Sequence, residues 1–316
     1  GTRFVPVKLV DVAGLVPGAH EGRGLGNQFL TDLNETDVLI HVVDFSGTTD
    51  IEGEATEGHD PREDIDFLEE ELDAWYLDVL GKGLEKFETR YHGADAAIEA
   101  ELADQMSAFG IDKDRMKRVI LAQGLELDPD TWEETDRVEL AREIRKRTKP
   151  MVIAANKMDT PEAQANWAEL TSDPDYDHLT FVPVSAHAEK ALKNAKDQGV
   201  LEYTPGDSDF GITADLPEQK RAGLEQIRSF LTEFGGTGVQ SALEAAVFDV
   251  LGLKAVFPGS ASGNWSQGPF RDCFLMPADA TAEEFAYHLH SDIGEGFLHG
   301  IDCRNDRQVG ADTVLD

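Results

Sequence analysis

Four short apolar runs stand out in the first two hundred residues, and each is followed by polar or glycine-rich sequence. Residues 7–13 alternate before becoming apolar, whereas residues 38–44 and 151–155 are nearly continuous apolar runs. A further run covers residues 178–184. Runs of this length bounded by turn residues are typical of strands, and the continuous ones are typical of strands buried on both faces.

Apolar residues at helical spacing separate these predicted strands. An acidic helix is predicted to begin at Pro61, because apolar residues then recur at Ile65, Leu68, Leu72 and Trp75. Further helices are predicted at 95–108, 114–123 and 133–148. Alternating strands and helices predict an α/β fold with a doubly wound parallel sheet, whose binding loops lie at the carboxyl ends of the strands. Residues 61–125 are too many for one crossover and predict a helical insertion.

The last third of the chain has a different pattern of residues. A short glycine-rich linker after residue 235 leads to an apolar helix at 239–251, and residues 272–316 predict a small separate module. Within that module we expect a strand at 273–276, a helix at 282–290 and then short strands. The predicted domains are 1–60 together with 126–235, the insertion 61–125, a linker and helix at 236–271, and the module 272–316.

The charge of the chain is strongly one-sided, with 62 Asp plus Glu against 28 Lys plus Arg and a net charge of −34. Acid spread along the whole chain favours a surface adapted to a very salty cytoplasm, with an acidic partner-binding protein as the alternative. In about 1 M salt the Debye length is about 3 Å, so this charge does not exclude a nucleic-acid partner.

The composition also predicts where the protein works. The chain has no apolar stretch of 18 residues and no apolar leader, so we expect a cytoplasmic protein without a membrane span or a secretory signal. Its two cysteines, Cys273 and Cys303, do not make a disulfide framework, and we expect them to be small core residues.

The motif Asn156-Lys157-Met158-Asp159 directly follows the run at 151–155 and suits recognition of guanine. A carboxylate only accepts hydrogen bonds, and guanine presents two adjacent donors where adenine presents a ring acceptor. Such pairing can reject the wrong base by roughly 10⁴-fold. The stem of Lys157 can lie along the base, and Asn156 can tie neighbouring loops together. Taken alone, these four residues also fit a surface turn.

Two other motifs follow predicted strands and strengthen this interpretation. Asp11 and Gly14 fit the pattern DxxG, in which Asp11 holds Mg²⁺ through water and the Gly14 N–H faces a γ-phosphate. Ser185, Ala186 and His187 follow the run at 178–184 and offer backbone N–H groups to the guanine carbonyl oxygen. Three motifs in this order favour a GTP-binding protein.

With these motifs in place, the chain resembles the Obg-like P-loop GTPases of the YchF subfamily. Residues 11–30 resemble their switch region, the helical insertion resembles their coiled-coil domain, and the segments 274–281, 286–290 and 294–297 resemble their C-terminal TGS module, a small β-grasp. The resemblance implies a monomeric, Mg²⁺-dependent GTP hydrolase in translation, with the ribosome or ribosomal RNA as partner and K⁺ as a second candidate ion. Gly14 and His41 are its candidate catalytic residues, and packing of His41 within its strand is the alternative.

The chain departs from the family pattern in two ways. Many YchF proteins carry a base-reading motif that ends in Glu and prefer ATP, whereas Asp159 favours guanine here; an ATP-preferring hydrolase is the alternative. The chain also contains no GxxxxGK[ST] loop, whose N–H groups and lysine cradle phosphates. We therefore interpret it as a fragment that lacks about 50 or more N-terminal residues and is truncated in its TGS module. We expect this fragment to bind nucleotide weakly and to be inactive.

Several polar residues have both a functional and a structural interpretation. Leu15 stands where Ras-like enzymes place a water-orienting Gln, which predicts slow intrinsic hydrolysis. His20 is either a phosphate contact or a solvated loop residue. The basic residues between 142 and 149 either contact the ribosome or complement the dipole at a helix C-terminus.

Two other function classes compete with a GTPase. A nicotinamide-dependent oxidoreductase is suggested by the strand at 7–13, the glycine loop and Asp44 at the end of the next strand. However, Phe29 occupies the last glycine position of the fingerprint, and this alternative leaves residues 156–159 unexplained. A non-catalytic adaptor that binds the ribosome or RNA is the third hypothesis.

Overall fold

The computed structural model describes residues 5–12, 33, 36–91, 97–259 and 272–315. The chain divides into two compact units, one of them Val10–Ala246 and the other combining Gly1–Leu9 with Val247–Asp316. Among the described helices, none has both the length and the apolar character needed to cross a membrane. The finer division into four domains stays a prediction.

A three-stranded parallel sheet lies at the centre of the larger unit. Its strands are β1 (Leu39–Asp44), β2 (Met151–Asn156) and β3 (Thr180–Pro183), with β2 in the middle. Asp44 and Asn156 are paired across β1 and β2, so both strands end at the same edge of the sheet. The predicted α/β fold with a parallel sheet is therefore confirmed.

The larger unit also contains eight described α-helices and a short ribbon. The described helices are α1 (Pro61–Tyr91), α2 (Ile98–Gln105), α3 (Lys113–Ala122), α4 (Glu134–Thr148), α5 (Pro161–Leu170), α6 (Ala186–Asp197), α7 (Glu218–Phe234) and α8 (Val239–Glu244). A π-helical turn, Ala245–Val250, continues α8. Strands β4 (Leu201–Glu202) and β5 (Gly211–Ile212) form an antiparallel ribbon between α6 and α7 in the chain.

The long helix α1 joins the predicted helical insertion to the core of the sheet. Its predicted apolar stripe is buried at Ile65, Leu68, Leu72 and Trp75. These side chains belong to the same hydrophobic cluster as Val43 of β1 and Ile153 of β2. The helical spacing of the apolar residues therefore identified the face of α1 that packs inward.

Four of the five basic residues between 142 and 149 are engaged in contacts within the chain, namely Arg142, Arg145, Arg147 and Lys149. Arg145 is 2% exposed, and its guanidinium lies 2.7 Å from Glu69 Oε1 and 2.6 Å from Asp73 Oδ1. Lys149 is also buried, and it donates to the backbone oxygen of Thr36. Because a buried cation must be paired, these contacts fix α4 on its neighbours. They favour a structural role for this cluster over contact with a ribosome.

Residues 5–12 do not form the strand predicted at 7–13. Val7 and Leu9 are exposed, and no strand in the described part of the chain pairs with this segment. Alternation alone does not stabilise a strand, which needs hydrogen bonds to a neighbour. Residue 13 lies outside the described residues.

The smaller unit shows the predicted order of elements in residues 272–315. Strand β6 (Leu253–Val256) pairs antiparallel with β7 (Phe274–Pro277). Helices α9 (Ala282–Leu289) and α10 (Ser291–Glu295) follow, and then the antiparallel pair β8 (Gly300–Asp302) and β9 (Arg307–Val309). Cys273 and Cys303 are not joined in a disulfide and are only half-buried, so the prediction that they are core residues is wrong. The assignment of this unit as a TGS module stays a prediction.

Candidate nucleotide-binding site

The loops that follow β2 and β3 are fastened to each other at one edge of the sheet. The Met158 N–H donates to the Val184 carbonyl oxygen over 3.1 Å, and the Met158 side chain is fully buried. Thr160 then caps α5 by accepting a hydrogen bond from the Ala163 N–H. The loop after β2 is therefore anchored on both sides of Asp159.

Asn156 bridges the two loops directly. Its Oδ1 accepts a hydrogen bond from the Ala186 N–H over 3.1 Å, which is the loop-tying contact expected from the sequence. Its side-chain NH₂ group donates to none of the described residues. Asn156 therefore holds the loops in place and keeps two donors for a ligand.

Asp159 is the free carboxylate of the site. It is exposed, and no group in the part of the chain that the structure describes donates a hydrogen bond to its side chain. A carboxylate only accepts hydrogen bonds. Both oxygens of Asp159 are therefore available to donors on a ligand.

The backbone N–H groups of residues 185–187 are not equivalent. The Ser185 N–H donates to the Thr237 carbonyl oxygen over 2.9 Å, and the Ala186 N–H donates to Asn156. Of these three groups only the His187 N–H has no acceptor among the described residues. The expectation that all three face a ligand is therefore corrected for Ser185 and Ala186. The buried Ser185 caps α6 and is bonded to a distant segment, and the Ala186 N–H is used by Asn156.

A cavity of about 760 Å³ is lined by Asp159 and His187. Small and apolar side chains of α6 and α7 form other parts of its wall, among them Ala191, Leu224 and Ile227. Cavities of this size that combine an apolar wall with a few polar groups are typical of small-molecule sites. Of the residues predicted to read the base, Asp159 and His187 border this cavity, whereas Asn156 and Lys157 do not line it.

Lys157 is held by a carboxylate that the sequence did not mark as part of this site. Its Nζ lies 2.8 Å from Asp44 Oδ2 at the end of β1 and 2.8 Å from Thr48 Oγ1. Burial disfavours the charged form of Asp44, but hydrogen bonds from Lys157, Ser46 and Thr49 outweigh it and hold the pKa of Asp44 well below its usual range. The available signal was its position at the carboxyl end of a parallel strand, where binding loops meet.

The predicted phosphate side of the site is described only at Asp11. This residue is exposed and has no hydrogen-bond partner among the described residues, whereas Gly14, Leu15 and His20 lie outside them. Described residues contain no cluster of three or more His, Cys, Asp or Glu that could enclose a metal. One open carboxylate still suits Mg²⁺, which takes most of its ligands from water and phosphate oxygens.

His41 lies within the sheet rather than in a loop. It is paired with Ile153 of β2, and its buried Nδ1 has no hydrogen-bond partner within the part of the chain that the structure describes. Burial lowers the pKa of His41 to about 4, although the charge of Glu69 acts in the opposite direction. The imidazole is therefore neutral near pH 7. Its packing agrees with the structural alternative, and its catalytic role stays a prediction.

Comparison with known proteins identifies the family. The family described as "Obg-like GTPase YGR210-like, G4 motif-containing domain" matches residues 154–260, and the one described as "50S ribosome-binding GTPase" matches residues 2–76. A GTP-binding protein of Methanocaldococcus jannaschii is 41% identical over 318 residues, covering 100% of this chain and 80% of the relative. This chain belongs to the Obg-like, YchF-type P-loop GTPases.

Two further comparisons place this Obg-like GTPase among its relatives. The crystal structure of a GTP-binding protein from Pyrococcus horikoshii matches with a TM-score of 0.74 at 35% identity, covering 91% of this chain and 78% of that one. The ribosome-binding ATPase YchF of Haemophilus influenzae is 26% identical over 263 residues, covering 76% of this chain and 67% of the relative. The protein is thus a GTP-binding protein of the Obg/YchF type, which removes the oxidoreductase alternative.

Proposed function

We propose that this Obg-like GTPase selects GTP over ATP, hydrolyses it with Mg²⁺, and acts at the ribosome. The observation that carries the base preference is the exposed Asp159 carboxylate, which lines the cavity and has no hydrogen-bond donor among the described residues. Guanine places two donors against its oxygens, whereas adenine would place a ring acceptor there. The unpaired acceptors would make adenine the weaker ligand.

Two hydrogen-bond donors near Asp159 can meet the carbonyl oxygen of guanine. The His187 N–H and the side-chain NH₂ of Asn156 have no acceptor within the described residues. Guanine presents a carbonyl oxygen that accepts such hydrogen bonds, whereas adenine presents an amine that cannot. Guanine is therefore selected twice, once by the Asp159 carboxylate, which accepts from its donors, and once by these N–H groups, which donate to its carbonyl oxygen.

Hydrolysis is assigned to the groups around Asp11. In this proposal Asp11 holds Mg²⁺ through water, the Gly14 N–H faces the γ-phosphate, and K⁺ is a further candidate for balancing phosphate charge. His41 remains a candidate catalytic residue from the family resemblance, although a pKa lowered to about 4 makes its ring a weak proton acceptor near pH 7. Leu15 cannot orient water, so slow hydrolysis without a partner is expected.

The base preference is tested by Asp159→Asn in the full-length protein, with affinities measured for GTP, ATP and xanthosine triphosphate. An amide donor at this position should weaken GTP binding by about 100-fold or more and strengthen binding of xanthine, which has a carbonyl where guanine has an amine. The matched control is Asp175→Asn, which removes the same charge from an exposed carboxylate that does not line the cavity. Unchanged affinities in Asp159→Asn would reject this assignment.

The ribosomal role rests on the two comparisons that name ribosome binding. We expect the full-length protein to sediment with ribosomes in molar KCl when GTP or a non-hydrolysable analogue is bound, and less so with GDP. If the protein is absent from the ribosomal fraction in every nucleotide state, the proposed ribosomal role is contradicted. The name of the Haemophilus relative keeps ATP as the second candidate substrate, and the same affinity measurements decide between them.

A further inference from the structure

We propose that Asp44 is a positioning residue that anchors Lys157 beside the base and thereby sets how tightly the site holds any purine nucleotide. The proposal rests on the proposed function of residues 156–159 as a base-binding site. It goes beyond base selection, because Asp44 acts on the lysine that contacts the face of the base and leaves the selective edge contacts to Asp159.

The Asp44 carboxylate is saturated with hydrogen bonds. Its Oδ1 accepts from the Ser46 N–H at 2.9 Å and from Ser46 Oγ at 2.6 Å. Its Oδ2 accepts from Lys157 Nζ and Thr49 Oγ1, both at 2.8 Å, and from the Thr48 hydroxyl and N–H at 3.0 and 3.2 Å. A carboxylate has about four lone-pair directions. This carboxylate is therefore held in one orientation and presents a fixed acceptor to the lysine.

The backbone of Lys157 is fixed independently of its side chain. Its φ of 65° lies in the left-handed region, which a non-glycine residue adopts only where its surroundings enforce it. The surroundings here are two hydrogen bonds of 3.1 Å, one from the Phe45 N–H to the Asn156 carbonyl and one from the Met158 N–H to the Val184 carbonyl. With the backbone fixed, the position of the side chain depends on what holds its ammonium group.

Asp44 and Thr48 hold that ammonium group from the β1 side. Two of its three N–H donors are used by these residues, so the methylene stem runs between two fixed points. A lysine ordered before the nucleotide arrives does not lose its rotamer freedom on binding. Ordering a side chain of this length is worth about tenfold in affinity.

The contact between Asp44 and Lys157 is also of a kind that withstands the high salt expected for a protein with a net charge of −34. Salt strongly screens charges that are separated by solvent, whereas a hydrogen-bonded pair with one buried partner is screened much less. The Asp44 side chain is 10% exposed and that of Lys157 is 38% exposed. We therefore expect the anchor to persist in molar KCl.

A purely structural role for Asp44 predicts a different outcome, because the loop after β1 has other fastenings. The Phe45 carbonyl accepts from Asn166 Nδ2 at 2.8 Å, and the Gly47 carbonyl accepts from the His59 N–H at 3.1 Å. His59 Nε2 in turn lies 2.6 Å from Asp64 Oδ2. Asp64→Asn therefore weakens the same loop without touching Lys157 and is the matched control.

The test measures affinities for GTP, GDP and ATP, together with kcat, in the full-length protein. Asp44→Asn should weaken all three nucleotides by about tenfold, leave the ratio of GTP to ATP affinity unchanged, and change kcat by less than about twofold. Lys157→Met keeps the stem but removes the ammonium, so it should weaken binding equally. Adding Asp44→Asn to Lys157→Met should then have no further effect.

Any of three results would contradict the proposal that Asp44 anchors Lys157. These are wild-type affinity in Asp44→Asn, effects that multiply in the double variant, and equal weakening of binding by Asp64→Asn.

If Asp44→Asn does not fold, Thr48→Val serves as the second variant, because it removes the other acceptor of Lys157. It should weaken nucleotide binding about threefold, and unchanged binding would contradict the proposal. A failure of base selection has a separate signature, since Asp159→Asn would then leave the ratio of GTP to ATP unchanged while Asp44→Asn still weakens both.

Discussion

Glu189 connects the base-binding loop to the rest of the larger unit through buried hydrogen bonds. It lies in the first turn of α6, and its Oε2 accepts from Tyr203 Oη and from Thr237 Oγ1, both at 2.7 Å. The Thr237 carbonyl accepts the Ser185 N–H at the start of the same helix. All four residues are buried. One carboxylate thus joins α6, the β4–β5 ribbon and the segment before α8.

Glu189→Ala should therefore destabilise the larger unit strongly. It removes the acceptor that the buried hydroxyls of Tyr203 and Thr237 share, and each hydroxyl that is left unpaired costs about 1–3 kcal/mol. Because the two hydroxyls belong to one network, their losses are not independent, and we expect a decrease of about 2–4 kcal/mol in the free energy of unfolding. Glu189→Gln keeps an oxygen that both hydroxyls can reach, so its cost should be nearer 1 kcal/mol.

The measurement is denaturant unfolding of the full-length protein in molar KCl, followed by tryptophan fluorescence, because Trp75 and Trp132 are buried in the core of the larger unit. The matched control is Glu202→Ala, which removes the same charge from an exposed strand residue. The reasoning is refuted if the free energies of unfolding of Glu189→Ala and Glu202→Ala differ by less than about 1 kcal/mol. We also expect Glu189→Ala to bind GTP more weakly, because Thr237, which accepts the hydrogen bond from the Ser185 N–H, loses its own bond to Glu189.

Two further predictions concern the same unit. Stability should fall as pH decreases from 6.5 towards about 4, because unfolded His41 takes up a proton in that range while the folded residue, with its lowered pKa, does not. The loss should reach about 3 kcal/mol, and His41→Phe should reduce this slope in urea unfolding curves recorded across the range; an unaltered slope would contradict the assignment. Gly238→Ala should prevent stable folding or abolish GTP binding, because Gly238 has a φ of +81° and a Cβ there would lie 1.9 Å from the Pro183 carbonyl oxygen. Gly235→Ala, at a φ of +78° but with open space around it, is its control in thermal unfolding.

The parts of the fold that could be read from the sequence are those with one physical solution. A continuous apolar run such as 151–155 is stable only when both faces are covered, so it predicted the central strand of the sheet. The stripe from Ile65 to Trp75 likewise predicted one buried helix face. Alternation at 7–13 predicts which side chains share a face but not whether a neighbouring strand exists, and that prediction was wrong within residues 5–12.

The candidate site was predictable in its motifs and not in its hydrogen bonds. Residues 156–159 and 185–187 are recognisable because each follows a strand, and the loops are joined as expected. Which N–H groups remain for a ligand depends on acceptors far away in the chain, such as the Thr237 carbonyl beside Ser185. Asp44 was noted only as a feature of the oxidoreductase alternative, since nothing in its local sequence marks Lys157 as its partner.

Polar groups at the edge of this sheet fall into two sets with separable effects. Asp44, the Lys157 ammonium and the Ser185 N–H are bonded within the protein, so losing one of these bonds changes how well the site is ordered before any purine binds. The Asp159 carboxylate and the His187 N–H have no such bonds in the described structure, so changing them alters only what the ligand must present. Substitutions in the first set should therefore scale the affinities for GTP and ATP together. Substitutions in the second set should change their ratio, because an unmatched donor or acceptor penalises one base and not the other.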